Sequence, residues 1–329
     1  MSRGPAANRP KVMGGHAATL RPARDDDLPA CLDTWHGAVD DYGLRVGRPP
    51  TPRSYGQLRL LVAHALATDP GRFWVAVRPA TDGGERIVGF VSATVRGPVW
   101  YLAMLFVRPG EQAAGLGSAL LERVLPAPGE GLVRATCTDS AQPIANALYA
   151  RIGIMPRLPV LQLVGRPDQA PLPELPAGVI AVPFEDVELN GGDGRDDGGL
   201  AVTLDALDRA VLGYERPLEH ALLRRTGRHG FLFRARGGRA LGYGYVADSG
   251  RLGPMALDDP ELAAPALGQL TRMIDPPGAY LAWIPGSFGQ AAAALLRSGF
   301  RLEDFPALFC WDRDFARFDR YVPLSLAIL

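Results

Sequence analysis

Apolar residues along this chain switch between a spacing of two and a spacing of three to four, and the switches mark out its elements. Thr19 to Arg21 reads as a short strand. Asp25, Asp26 and Asp27 then precede Leu28, Cys31, Leu32 and Trp35, a helical stripe with carboxylates placed to cap its start. Leu58, Leu61, Val62 and Ala65 share one face of a second helix, predicted over 55–67. Three antiparallel strands are predicted over 73–77, 87–95 and 100–107. A helix over 116–125, a strand over 132–138, a helix over 143–152 and a hairpin over 155–164 complete this half. The pattern is α/β with its antiparallel part first.

The second half runs through the same order. Val179 to Val182 reads as a strand, and 200–212 and 218–226 as helices. Gly227 to Phe231 echoes Gly71-Arg72-Phe73, and Leu241 to Val246 echoes Val88 to Ala93. Leu295 to Phe300 echoes Leu148 to Ile154, each ending a helix in glycine before a strand. Echoes in one order indicate a duplicated fold, and in this alignment Leu296 stands at the place of Tyr149.

Gly165 to Gly178 is rich in Pro and Gly and reads as a connector, and Leu189 to Gly199 as a surface loop. The expected division is a disordered N-terminus over 1–16, a domain over 17–165, a linker over 166–178 and a second domain over 179–329. With 329 residues, 47% apolar and 21% charged, the chain is globular and long enough for two domains. Basic and acidic residues balance at 35 each, and Lys11 is the single lysine; no one-signed patch speaks for a nucleic-acid partner. Cys31, Cys137 and Cys310 are odd in number and far apart, which indicates neither a disulfide framework nor a metal site. The first residues carry no apolar signal core and no apolar run is long enough to span a bilayer, so the expectation is a cytoplasmic protein with no membrane partner.

Chemistry concentrates in Leu105 to Leu121, where a strand runs through a glycine-bearing loop straight into a helix. Unpaired N–H groups and the positive end of the helix dipole converge there, so an anion is the natural ligand. Gly115 and Gly117 let the backbone approach it closely. A Walker loop is excluded by the missing lysine, and a Rossmann fingerprint by the antiparallel meander that precedes the loop. A helix cap with packing glycines is the alternative for the loop taken alone.

The Gln112-x-x-Gly115-x-Gly117 loop after Leu105-Phe106-Val107, together with Gln142 to Ile154, resembles the GNAT superfamily of acyl-CoA-dependent N-acyltransferases. The resemblance covers nearly all of the first domain, and the second resembles the same fold without the signature. It implies an α/β fold of two GNAT-like domains in tandem, each a mixed, mostly antiparallel sheet flanked by helices. Leu105, Phe106 and Val107 match the strand that pairs with the pantetheine arm of acetyl-CoA. Gln112, Ala113, Ala114, Gly115, Leu116 and Gly117 match the pyrophosphate loop, and Ser118 begins the helix behind it. Tyr149 matches the tyrosine that protonates the departing thiolate, and Gln142 stands where many members carry a cofactor-contacting Asn. Ala113 and Ala114 replace the usual Arg or Lys, and the strand over 100–107 carries no carboxylate, so the general base is unassigned.

The resemblance also places Trp35, His36, Asp40, Asp41 and Tyr42, at the end of the first helix and into the following loop, beside the acceptor cleft. An acidic and aromatic cluster suits a cationic amine, and a solvated helix end is the alternative. His16, His64, His220 and His229 are expected on the surface or in linkers. Asp139 either faces the cleft or caps the next helix. At the corresponding helix start of the second domain, Asp258, Asp259 and Glu261 would repel a pyrophosphate, which marks that domain as a degenerate copy. The expected activity is transfer of an acetyl or short acyl group to a primary amine, small-molecule or peptide, by a monomer or weak dimer. A non-catalytic acyl-CoA sensor or scaffold is the rival.

Overall fold

The computed structural model describes residues 18–51, 53, 56–81, 83–112, 115–190 and 199–329; the expected disordered start and most of the loop over 189–199 lie outside these residues. The first half comprises β1 (Thr19–Pro22), α1 (Leu28–Arg45), α2 (Gly56–Thr68), β2 (Phe73–Pro79), β3 (Glu85–Arg96), β4 (Val99–Val107), α3 (Leu116–Val124), β5 (Val133–Asp139), α4 (Pro143–Arg151) and β6 (Met155–Gly165). The second comprises β7 (Val179–Pro183), α5 (Phe184–Asn190), α6 (Gly199–Leu212), α7 (Pro217–Arg224), β8 (Arg228–Ala235), β9 (Ala240–Ala247) and β10 (Arg251–Leu257). It continues with α8 (Ala263–Met273), β11 (Tyr280–Pro285), α9 (Gly289–Ser298), β12 (Arg301–Leu302), β13 (Ala307–Trp311) and β14 (Tyr321–Val322).

Each half contributes an antiparallel meander whose fourth strand pairs in parallel with the fifth, β4 with β5 and β10 with β11. The duplicated α/β architecture is therefore present, but the sheets are not separate. Among the described residues they join into one 14-stranded sheet, ordered β1-β2-β3-β4-β5-β13-β6-β11-β10-β9-β8-β7, with β12 on β6 and β14 on β10.

The join corrects one expectation. The hairpin predicted over 155–164 is the single strand β6, because its partners β11, β12 and β13 all come from the other half of the chain. Met155 to Val160 pair with β13, and Val160 to Gly165 pair with β11. The other edge of β13 pairs with β5, so a strand from the second half lies inside the first half's sheet. Pro156 and Pro159 cannot donate to a ladder, and the register shift between Phe309 and Cys310 accommodates them. Gly165 is dictated by packing, since a Cβ there would lie 2.6 Å from the Phe300 Cα.

The side chains of β13 alternate between two cores. Phe309 is buried among Val99 and Tyr101 of one half and Leu204 and Tyr243 of the other. Cys310 points the opposite way, into the cluster of Trp100, Leu120 and Tyr149. The connector is also packed: Leu172 is buried, and the Pro173 carbonyl lies where a Cβ on Gly268 of α8 would be.

Other differences concern polar residues. Asp25–Asp27 form a 3-10 turn, and Asp27 spends its carboxylate on Arg21 at 2.7 and 2.8 Å and on the Arg24 amide rather than capping α1. His64 and His220 are buried, not superficial, because each is held by a carboxylate. His220 Nε2 lies 3.0 Å from Asp208, which also holds the buried Arg216 guanidinium. His64 Nε2 lies 3.3 Å from Glu219 of α7, which accepts at 2.7 Å from Arg96 of β3. Arg96 continues the chain to Asp69 and Thr68, so α2, β3 and α7 are tied across the seam.

Burial alone would raise the Glu219 pKa; the His64 hydrogen bond and the charges of Arg96 and Arg216 outweigh it and hold the carboxyl at about 2, against 4.5 unperturbed. The stability this contributes is present above pH 4.5 and is lost as the pH falls toward 2. Glu219→Gln is expected to lower stability at neutral pH by roughly 3 kcal/mol and to converge on the parent near the acid end. Urea unfolding across a pH series checks both the size and the window.

Candidate active site

The first half's parallel pair is short. Val99 to Leu102 of β4 run beside Val133 to Thr136 of β5, and the Thr136 hydroxyl closes the last rung on the Leu102 carbonyl at 2.9 Å. Beyond that point β4 stays with β3 while β5 follows β13, so the two strands part. A bulge drives the divergence: Ala93 faces Leu102 but Ser92 faces Met104, leaving Ala103 as the extra residue. The bulge also exchanges the faces of β4. Trp100 and Leu102, then Leu105 and Val107, pack toward α3; Met104 and Phe106 pack toward α1 and α2. Along Ala103 to Val107, the edge toward β5 has no strand partner among the described residues.

The loop that follows is pinned at both ends. Glu111 binds Arg78 and Arg86, each at 2.9 Å, and Gln112 Nε2 donates to the Val107 carbonyl at 3.0 Å. Ala113 and Ala114 lie outside the described residues. Gly115 takes the left-handed conformation, φ +76°, as the N-cap of α3. Leu116 is buried beneath it and anchors the helix start. Among the described residues, a Cβ on Gly117 would meet Leu148 and Val107, each at 4.0 Å, so their packing does not require glycine there. Ser118 Oγ accepts from Arg151 Nη2 at 3.1 Å. That contact brings a cation to the loop from the end of α4, a residue the sequence analysis did not single out.

Tyr149 is 6% exposed, within the cluster of Trp100, Leu102, Leu120 and Cys310. Its hydroxyl has no hydrogen-bond partner among the described residues. Burial first, then the neighbouring Cys310 and Cys137, push its pKa well up, so it keeps its proton. Gln142 is the N-cap of α4 without a side-chain cap bond, and its carbonyl accepts from Asn146 Nδ2 at 2.9 Å. Asn146 Nδ2 also reaches the Asp139 and Ser140 carbonyls, while its Oδ1 is buried with no partner. That orphan acceptor, four residues after Gln142, was not visible in the sequence.

On the other face, Trp35 to Tyr42 lie inside α1 rather than in a loop, because nothing breaks the helix before Gly47, at φ +78°. Trp35 sits edge-on to His36 at 4.8 Å and to Phe106 of β4 at 6.2 Å. His36 is buried, which lowers its pKa and favours the neutral ring. Asp40 accepts from the Thr51 amide at 2.9 Å, and Asp41 pairs with Arg45. Tyr42 instead joins a group the sequence did not predict. Arg48 lies over the Tyr42 ring at 5.4 Å and the Phe305 ring at 5.8 Å, and bridges Asp139, at 2.9 Å, and Asp304. Asp139 also accepts from the Ala141 amide at 2.9 Å, in the turn before α4, while the N-cap of that helix is Gln142. Asp304 and Phe305 come from the turn before β13, so no sequence proximity could have placed them here.

The second half closes the corresponding features. α8 packs on α9, and the turn before it is capped by Asp259, which accepts from the Glu261 amide at 3.0 Å. Asp258 is engaged by Arg239 at 2.9 Å. Four residues before the helix-ending glycine, the place of Tyr149 relative to Gly153, stands Leu295; Leu296, expected there, is exposed. The left-handed glycine fixes the helix end, and counting from it corrects the alignment.

Residues 38–154 match the model of the acetyltransferase (GNAT) family. A protein from Pyrococcus horikoshii assigned as an acetyltransferase is similar over 98% of this chain and 100% of its own, at 15% identity and a TM-score of 0.71. A GCN5-related N-acetyltransferase from Sphaerobacter thermophilus is similar over 89% and 95%, at 17% identity and a TM-score of 0.59. A tandem GNAT protein from the clavulanic acid biosynthesis pathway is similar over 89% and 97%, at 16% identity and a TM-score of 0.55. No curated protein matches the chain. The family match is confined to the first half, and the fold of the whole chain is like that of the tandem GNAT protein. No group of potential metal ligands occurs among the described residues, and no described helix is long and apolar enough to cross a membrane.

Because the Tyr149 hydroxyl has no partner to lose, Tyr149→Phe should leave the melting temperature unchanged, within roughly 0.5 kcal/mol of stability. Calorimetric unfolding of the two proteins measures this directly.

Proposed function

We propose that the chain is an N-acyltransferase whose first half, completed by β13, moves an acetyl or short acyl group from coenzyme A to a primary amine by direct attack. The observation that carries the reading is the joint placement of the α3 start, the unpaired edge of β4 and the protonated Tyr149. The residues present fit an acyl-CoA: Gly115 to Ser118 offer orphan amides to a pyrophosphate, and the buried Asn146 Oδ1 can accept an amide N–H. When bound, the thioester supplies the activated acyl group. Backbone N–H groups of β4 beyond the bulge stabilise the oxyanion, and Tyr149 gives its hydroxyl proton to the departing sulfur. Trp35, His36 and Tyr42 wall the amine side, where the Arg48, Asp139 and Asp304 group sets the charge.

The absence of a carboxylate from β4 favours a second reading, a sensor that binds acyl-CoA without turnover. Thiol release with a panel of amines separates the two. We also propose one coenzyme A per chain and a monomeric or weakly associated protein in the cytoplasm, the second half providing the contacts a partner subunit would give. Sedimentation showing a tight dimer at micromolar concentration would contradict that.

Calorimetry is expected to give a single coenzyme A site that Gly117→Asp abolishes, because the added carboxylate would face the phosphates; two sites, or one that survives the substitution, would overturn the assignment. Tyr149→Phe should reduce turnover on the order of 10- to 1,000-fold with little change in coenzyme A affinity. Full activity in the folded variant would show that the thiolate leaves unaided.

A further inference from the structure

Arg228, at the start of β8, is only 7% exposed, yet its one hydrogen-bond partner among the described residues is the Gly253 carbonyl, at 2.9 Å. No carboxylate pairs with it. Its remaining N–H groups are not sealed in the interior and so reach accessible space. Arg251, at the start of β10, is near enough for its charge to act on Arg228, and it has no hydrogen bond or ion pair among the described residues. A buried guanidinium beside a half-buried one, with no counter-ion among the described residues, is costly, and proteins ordinarily neutralise such groups, as Asp208 neutralises Arg216 here. Burial, and then the Arg251 charge, lower the Arg228 pKa to about 10, which leaves it charged at neutral pH.

Arg228 lines a cleft of about 560 Å³ between α5, α7 and β8. Phe184 forms one wall, packed so tightly that a Cβ on Gly230 would be 2.3 Å from its ring. Arg224 and Arg225 stand at the rim with Glu185 and Glu188. Arg224 and Glu188 pair with each other, which leaves Arg225 and Arg228 with Glu185 and a net positive charge on the lining. The cleft lies on the sheet face opposite α8, since Leu232 faces the α6 side and Phe231 and Phe233 the α8 side. It is therefore unrelated to the helix start that matches the pyrophosphate loop.

We propose that this cleft binds a small oxyanion, a phosphate- or carboxylate-bearing metabolite whose charged end rests on Arg228 and Arg225, with Arg251 strengthening the field. The anion supplies a counter-charge that no described residue gives Arg228, and its charge-assisted hydrogen bonds offset the burial of the guanidinium.

The test titrates the full chain calorimetrically at low ionic strength with inorganic phosphate, pyrophosphate and citrate. A Gly117→Asp background keeps the first half's loop from contributing. Saturable one-to-one binding of at least one of these anions is expected, weakened roughly 10- to 100-fold by Arg228→Met. Preference for pyrophosphate assigns a phosphoryl ligand and preference for citrate a carboxylate. Without anion, Arg228→Met should be at least as stable as its parent, because an unpaired buried charge is gone. If that variant does not fold, Arg225→Gln, at the exposed helix end, should weaken binding in the same direction. No saturable binding at millimolar anion, or binding unchanged by both substitutions, overturns the proposal.

Discussion

The antiparallel pairing of β6 with β13 is the constraint on which the rest of the molecule depends. A strand in the middle of a sheet must satisfy its backbone groups on both edges, and neither strand finds those partners within its own half. Val160 sits at the crossover, pairing with Ala307 on one side and Pro285 on the other. The first half's sheet is incomplete without residues from the end of the second. Exchange of this kind makes the halves one folding problem, and it explains why Phe309 belongs to a core drawn from both.

The exchange also builds the side proposed for the amine. β13 enters beside β5 at the level where β5 has parted from β4, and the turn leading into it carries Asp304 and Phe305 to Arg48. Asp304 holds a left-handed conformation, φ +69°, a modest strain that Asp tolerates better than most residues. The second half therefore contributes side chains to a cluster built on the first half's α1 and β5. Its helix α8 starts among carboxylates and packs on α9, whereas α3 starts among glycines and meets α4 at Gly117 and at the Arg151 to Ser118 bond.

Electrostatics follows the same asymmetry. Arg96 and Glu219 neutralise each other across the seam, with His64 against the same carboxylate, and Arg216 and Asp208 do so within the second half, with His220 against Asp208. Such networks are tolerated in the interior because each charge meets its opposite and each ring nitrogen facing a carboxylate has a hydrogen-bond partner. Arg228 is the exception among the described residues, and its place at a cleft rather than in a sealed core gives that exception its meaning.

The sequence by itself determined most of the order of elements, the duplication and the place of the glycine-bearing loop before α3, because these rest on local periodicity and on glycines at fixed offsets from a helix start. Gly115 at the start of α3 and Gly153 at the end of α4 could be placed from the chain around them alone. The tertiary structure decided what depends on long-range pairing. Residues 155–164 carry no signal for partners more than a hundred positions away, so a strand shared between halves read as a hairpin. Burial of His64 and His220 was equally hidden, because only the fold brings Glu219 and Asp208 to them. The meeting of Tyr42, Arg48 and Asp139 with Asp304 and Phe305 joins residues distant in sequence, and hydrogen bonding across strands, not periodicity along them, put them together.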